Sequence, residues 1–320
     1  MSATVWPTDT PTELKAYGNA LVEIARARPE VVCIGADLTG PTETDLFRDA
    51  IPDRFFNLGM AEANAVGVAA GMARAGDIPF LHTFSVFATR RAFDQIAMQV
   101  AYPRTNVKLM GFMPGLTTPG GVTHQAIEDL ALMRSLPNMT VVEPADARQT
   151  RAAVTALADY HGPVYMRLKR GEVPLMSETM SRPFSLGQAE VLREGSDVVI
   201  FACGLMVTLA LAAADQLSGE GCAAAVVNVH TLKPLDAQII CELAGRTGAV
   251  VTAENHSIIG GLGSAVAETL FDAGVRCRGV RVGVPDTFAE GASPGYLFRK
   301  YGLSTEAIAD ACRRVGNPRD

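Results

Sequence analysis

Five short stretches of the chain concentrate side chains able to do chemistry. In NLGMAEANAVGVAAGMARAG, residues 57–76, one carboxylate, Glu62, stands among Ala, Gly and Val at the start of a helical pattern. Small neighbours let a ligand approach closely, and a carboxyl group shielded from water by it can share a proton. The alternative is that Glu62 complements the positive end of the helix dipole while the Ala/Gly face packs on another helix. PFLHTFSVFATRRAFDQ, residues 79–95, sets Phe84 and Phe87 three apart after an apolar run, either as core or as a flat wall. His82 in the same run is a buried structural histidine or a ligand contact. His124 lies in the Gly-rich TTPGGVTHQ, where a group titrating near neutrality can donate to a substrate oxygen or exchange its hydroxyl proton. Without a ligand it is a polar residue flanking a helix. Asp37 and Leu38 in IGADLTG, and Arg170 after VYMRLK, complete the set.

The elements that must position these groups follow an alternation of short β-branched runs with Ala-rich helical patterns, the mark of a mostly parallel sheet with helices on both faces. Strands are expected at 31–36, 78–83, 107–111, 140–143 and 163–168, with helices near 13–28, 61–75, 88–101, 125–135 and 147–159. Open α/β sheets bind ligands beyond the carboxyl ends of their strands. That edge is where Asp37, the 82–87 segment, the 114–124 loop and Arg170 fall. Residues 171–187 carry prolines and polar residues without a period and are taken as a linker. The division is therefore 1–180 for the first domain and 181–320 for a second, smaller α/β domain. In the latter, strands are expected at 197–203, 223–229, 249–253 and 279–282, and a closing helix near 304–314.

Composition narrows the partners. With 48% hydrophobic residues and a net charge of −6, the chain has neither the basic surface of a nucleic-acid binder nor a polybasic membrane patch. Six dispersed cysteines without a CxxC pair suit a reducing cytoplasm. No export signal opens the chain, and no apolar run reaches the roughly 20 residues of a membrane span. His, Cys and carboxylate spacings match no metal-ligand pattern. GGLG at 260–263 is read as a structural turn rather than an anion nest, with His256 nearby at a domain or subunit interface.

The Glu62 segment, the Phe84 segment and GGVTHQAIED at 120–129 together resemble the C-terminal half of transketolases and of deoxyxylulose-phosphate synthases. VNVHTLKPLD at 227–236 and ENHSIIGGLGSAVAE at 254–268 extend the resemblance to split transketolases, whose two halves are separate polypeptides. It implies a pyrimidine-binding domain followed by the C-terminal domain of that family, with thiamine diphosphate as cofactor. Glu62 would hydrogen-bond the aminopyrimidine ring, Phe84 and Phe87 would pack on it, and Leu38, following Asp37, would wedge beneath the cofactor. His124 and His82 would face substrate, and Arg170 would grip a sugar phosphate. Three positions depart from the family by alignment: Gly120 stands for an aspartate, Phe112 for a histidine and Leu14 for a phosphate-binding arginine. A donor with a different polar end, or a different acceptor, is thereby expected.

The GDG…N motif through which such enzymes hold Mg²⁺ and the diphosphate is missing; AGDIP at 75–79 runs straight into a strand. A partner chain carrying the diphosphate-binding domain is therefore expected, in an α2β2 heterotetramer that transfers a two-carbon ketol unit from a ketose to an aldehyde. The alternatives are the β subunit of a 2-oxoacid dehydrogenase decarboxylating component, which has a similar plan, and a homologue that has lost the reaction.

Overall fold

The computed structural model describes residues 5–7, 9–176 and 183–316. In chain order its strands are β1 (Thr12–Leu14), β2 (Val31–Gly35), β3 (Phe55–Asn57), β4 (Ile78–Phe84), β5 (Lys108–Phe112), β6 (Thr140–Val142), β7 (Val164–Leu168), β8 (Glu172–Pro174), β9 (Glu190–Arg193), β10 (Val198–Ala202), β11 (Ala224–Asn228), β12 (Thr231–Lys233), β13 (Ala249–Ser257) and β14 (Arg278–Val284). The larger sheet has the order β12-β6-β7-β5-β4-β2-β3, parallel except for β12. Its central strands β2, β4, β5 and β7 are buried throughout, which is why they read as mostly apolar runs rather than alternating ones, with His82, Thr83, Lys108 and Arg167 as buried polar exceptions. The smaller sheet runs β14-β13-β10-β11-β9, with only β9 antiparallel. β1 and β8 form a separate antiparallel pair.

Helices cover both faces of the large sheet. On one side α1 (Ala16–Ala27) and α7 (Ala147–Asp159) pack on Val31, Cys33, Phe80 and Val164. On the other, α3 (Glu62–Ala75) lays Ala65, Val66 and Ala69 over Ile34, Leu81 and Leu109. Full burial of each Val, Leu or Ile contributes about 1.5–3 kcal/mol, so these two layers dominate the stability of the domain. α2 (Asp45–Ala50) and α6 (Asp129–Ser135) complete it, and α8 (Met206–Gly219), α9 (Ala237–Thr247), α10 (Leu262–Asp272), α11 (Pro294–Lys300) and α12 (Thr305–Gly316) surround the small sheet.

Three departures from expectation matter for the site. The helix expected at 88–101 begins at Ser85 as α4 (Ser85–Arg91), breaks at Ala92, and resumes as α5 (Phe93–Gln95) leading into a π-helical stretch, Ile96–Ala101. β13 runs to Ser257, four residues beyond its expected end. β12, from the second half of the chain, joins the first sheet beside β6, so the two halves share a sheet edge. The division expected at residue 180 lies within 177–182, outside the described residues.

Candidate active site

The last residues of β4 pass directly into α4, which places alternate side chains on opposite sides of the sheet edge. Thr83 faces α3, where Glu62 occupies the first helical position after Ala61, a cap without a side-chain hydrogen bond. Glu62 is 6% exposed. Its carboxylate borders a cavity of about 10 Å³ lined by Ala36, Val66, Leu81, Thr83, Ala88 and Ile96. The Thr83 hydroxyl is buried there and has no hydrogen-bond partner among the described residues.

Phe84 and Phe87 stack with ring centroids 5.6 Å apart and planes 26° from parallel. His124 meets both edge-on, at 6.2 Å from Phe84 and 5.4 Å from Phe87. Its Nδ1 lies 2.9 Å from the Thr123 hydroxyl. Arg91, at the end of α4, donates from Nη1 to Glu62 Oε1 at 2.8 Å and sets its Cζ 3.9 Å from the Phe87 centroid. Glu62, Phe84, Phe87 and His124 are thus brought together at one edge. Arg91 joins them, a residue that the Arg90-Arg91 pair in the sequence did not distinguish.

His82 does not join them. It is 0% exposed on the opposite face of β4. Its Nδ1 donates to the Ile34 carbonyl at 3.0 Å, and its Nε2 accepts from the Tyr17 hydroxyl at 2.6 Å. Burial holds its pKa down at about 4. A neutral ring with both nitrogens engaged inside the fold is structural, and the expected substrate contact is corrected accordingly.

Asp37 and Leu38 follow β2. Asp37 is exposed in the left-handed region at φ 59°, a conformation Asp tolerates, and Leu38 is half-buried. The Asn57 side chain accepts from the backbone of both Asp37 and Gly59, each at 3.1 Å, so it joins the β2 loop to the turn before Glu62. Gly59 in that turn has φ 70°, which favours glycine. Arg170 is exposed beyond β7; the next residue, Gly171, donates from its N–H to buried Glu43 at 3.0 Å. Arg170 makes no contact with the Phe84–His124 group among the described contacts.

The loop carrying His124 is closed at its neck by Gly115, whose N–H donates to the Ala126 carbonyl at 2.8 Å. Asn255, from the extended end of β13, crosses from the second domain to pin that neck. Its Oδ1 accepts from Leu116 N–H at 2.9 Å and its Nδ2 donates to the Pro114 carbonyl at 3.1 Å. Gly115 has φ 56°, and a Cβ there would fall 2.2 Å from the Asn255 carbonyl oxygen, so only glycine fits. Gln125 donates to the Glu290 carbonyl at 3.0 Å, adding a second tether. Behind the neck, fully buried Arg167 donates to both Asp129 oxygens at 2.8 and 3.0 Å, to Glu143 at 2.9 Å and to the Asn255 carbonyl at 3.0 Å. Burial works against its charge, but Asp129 and Glu143 hold its pKa above the ordinary range.

The GGLG turn is likewise internal. Glu254 accepts from Leu262 and Gly263 N–H at 2.7 and 2.8 Å, filling the helix N-terminus that an anion would need. Burial raises its pKa to about 7 and lowers that of neighbouring His256 to about 4. Among the described residues no group of three or more His, Cys, Asp or Glu is placed to hold a metal ion. None of the described helices is long and apolar enough to cross a membrane.

Residues 10–176 match the family model for the transketolase pyrimidine-binding domain, and residues 187–308 that for the transketolase C-terminal domain. A 6-deoxy-6-sulfo-D-fructose transketolase subunit of Clostridium sp. is 46% identical over 303 residues, 93% of this chain and 92% of the relative. One of the subunits of an apulose-4-phosphate transketolase from Phocaeicola vulgatus is 36% identical, over 92% of this chain and 94% of the relative. A solved structure described as a split-gene transketolase, inactive β4 tetramer, superposes with a TM-score of 0.86 at 49% identity, covering 94% of this chain and 96% of that one. By sequence and by structure, the chain belongs to the transketolase family and corresponds to its C-terminal half.

Proposed function

We propose that this chain is the C-terminal subunit of a split, thiamine diphosphate-dependent transketolase that moves a two-carbon ketol unit from a ketose donor to an aldehyde acceptor. The observation that carries the proposal is the convergence of Glu62, the unpaired Thr83 hydroxyl and the Phe84–Phe87 wall at one strand edge, in a chain without the diphosphate motif. A flat heteroaromatic ring with a polar edge fits that set: phenyl faces exclude water from it, and a shielded carboxyl and a free hydroxyl meet its nitrogens. When bound, thiamine diphosphate supplies a nucleophilic carbon and an electron sink for the two-carbon unit. Glu62 holds the proton at the far ring nitrogen, a task that requires a carboxyl rather than an amide. The Phe84–Phe87 wall orients the ring, with Asp37 and Leu38 at the adjacent β2 loop. His124, beside the same wall, donates to the donor's oxygen or takes its hydroxyl proton.

Mg²⁺ and the diphosphate fall to an N-terminal partner, and two copies of each chain assemble. The solved relative described as an inactive β4 tetramer of a split-gene transketolase supports the need for a second kind of chain, since the β chains by themselves are described as inactive. Donor recognition differs from that of pentulose phosphates. A Cβ on Gly120 would lie 2.8 Å from His124 Cγ, so an aspartate there would displace the histidine. Phe112 is buried against Tyr17 and Leu14 is exposed on β1, so neither offers a polar contact. Arg170, exposed beyond β7, is a cation suited to a sugar's anionic end. The test is ketose-dependent transfer to an aldehyde by this chain mixed with a candidate N-terminal transketolase subunit from the same organism. Turnover in the mixture and in neither chain alone is expected; oxidative turnover of pyruvate or branched-chain oxoacids without ketose turnover overturns the proposal.

A further inference from the structure

Among the described residues, Arg91 touches both halves of the proposed ring site. It lies four residues after Phe87 on α4, so its side chain can fold back over that ring. From there it reaches Glu62, so that Phe87 holds the guanidinium at 3.9 Å while Glu62 Oε1 accepts from it at 2.8 Å. The pair is asymmetric: Glu62 is 6% exposed and Arg91 50% exposed. A planar, delocalised cation over an aromatic ring and donating to a carboxylate uses the same two contacts as an aminopyrimidine would. Phe84 and His124 already stand against other parts of Phe87, at 5.6 and 5.4 Å. The guanidinium and a stacked pyrimidine cannot share the remaining position.

We propose that Arg91 is a place-holding residue of the cofactor site: it keeps Glu62 paired and Phe87 covered until the pyrimidine ring binds, and then swings outward to solvent. The inference rests on Glu62 and Phe87 being the pyrimidine contacts. A guanidinium offers donors only, so it cannot replace the ring in the proton exchange that Glu62 serves. Its half-exposed position provides the exit. A partly exposed ion pair and a cation–π contact must be broken on binding, each a modest interaction, so removing Arg91 should tighten cofactor binding by about 3- to 30-fold.

The experiment is a calorimetric titration of thiamine diphosphate with Mg²⁺ into the assembled two-subunit enzyme stripped of cofactor, for the wild type, Arg91→Ala, Arg91→Lys, Glu62→Gln and Phe87→Ala. Arg91→Ala is expected to bind about 3- to 30-fold tighter and Arg91→Lys, which keeps the cation without its plane, to fall between it and wild type. Unchanged or weaker binding by Arg91→Ala overturns the place-holding role, because a spectator or a permanent contact gives that result. If Glu62→Gln and Phe87→Ala both bind as the wild type does, the underlying site assignment fails instead, whatever Arg91→Ala shows. Arg91 is half-exposed, so the two Arg91 variants should melt close to the wild type.

Discussion

In the proposed function Glu62 is the residue on which the chemistry depends, and an amide in its place keeps the shape while removing the exchangeable proton. Glu62→Gln is expected to fold normally, since it gives up only a partly exposed ion pair to Arg91 worth about 0–1 kcal/mol. Turnover by the assembled enzyme should fall by about 100-fold or more. Steady-state kinetics at saturating cofactor, with a melting curve, checks both halves of that expectation. His82 gives a test of a different kind. Its folded pKa of about 4 lies below its ordinary 6.5, so within that window the unfolded chain binds the extra proton and stability falls as pH drops from about 6.5 to about 4. The full effect is about 3 kcal/mol. Urea midpoints should therefore decline less steeply with acid in His82→Asn than in wild type; parallel declines would contradict the buried neutral histidine. Glu62 and the phenylalanine pair were singled out through the family resemblance, since by residue type alone they equally fit a helix-dipole partner and core. The side on which His82 lies was not legible, since β4 is buried on both faces and its sequence does not show which way a given residue points. Arg91 escaped notice because two adjacent arginines look alike until the helix start at Ser85 is known.

At the scale of elements, the 114–126 loop is held in place from the second domain. Asn255→Ala leaves Leu116 N–H and the Pro114 carbonyl unpaired in a buried setting, a cost of about 1–3 kcal/mol for each group. Hydrogen exchange across 114–126 should accelerate, and the donor KM should rise more than the cofactor Kd. Unaltered exchange there would show that Asn255 does not hold the loop. The large parallel strands were readable from their continuous apolar runs. β1, β3, β8, β9 and β12 were not, because three or four residues are too few to show a period. The extension of β13 was hidden by its composition: Glu254, Asn255, His256 and Ser257 look like a loop, and it is pairing with β14 at Ser257, the Glu254 bonds to Leu262 and Gly263, and the Asn255 bonds to the first domain that hold them extended. No proline or glycine marks the break at Ala92, so the split of the expected 88–101 helix had no local signal.

For the whole molecule, two α/β units and their sequence order follow from the alternation of elements, whereas their mode of contact does not. Arg167, with Asp129 and Glu143 from its own domain, and Asn255, from the other, form a buried polar junction whose members are far apart in the chain. Such a junction fixes one relative placement of the domains, since shifting it would leave buried charges unpaired. In the proposed function the junction supports the edge of an active site that this chain builds only in part, with the ring-binding half here and the diphosphate-binding half on a partner. The most direct measurement is a calorimetric titration of thiamine diphosphate and Mg²⁺ into this chain, into the N-terminal subunit, and into their mixture. A shared site predicts tight, saturable binding in the mixture and much weaker binding by either chain alone; equally tight binding by this chain alone, or none in the mixture, would contradict it.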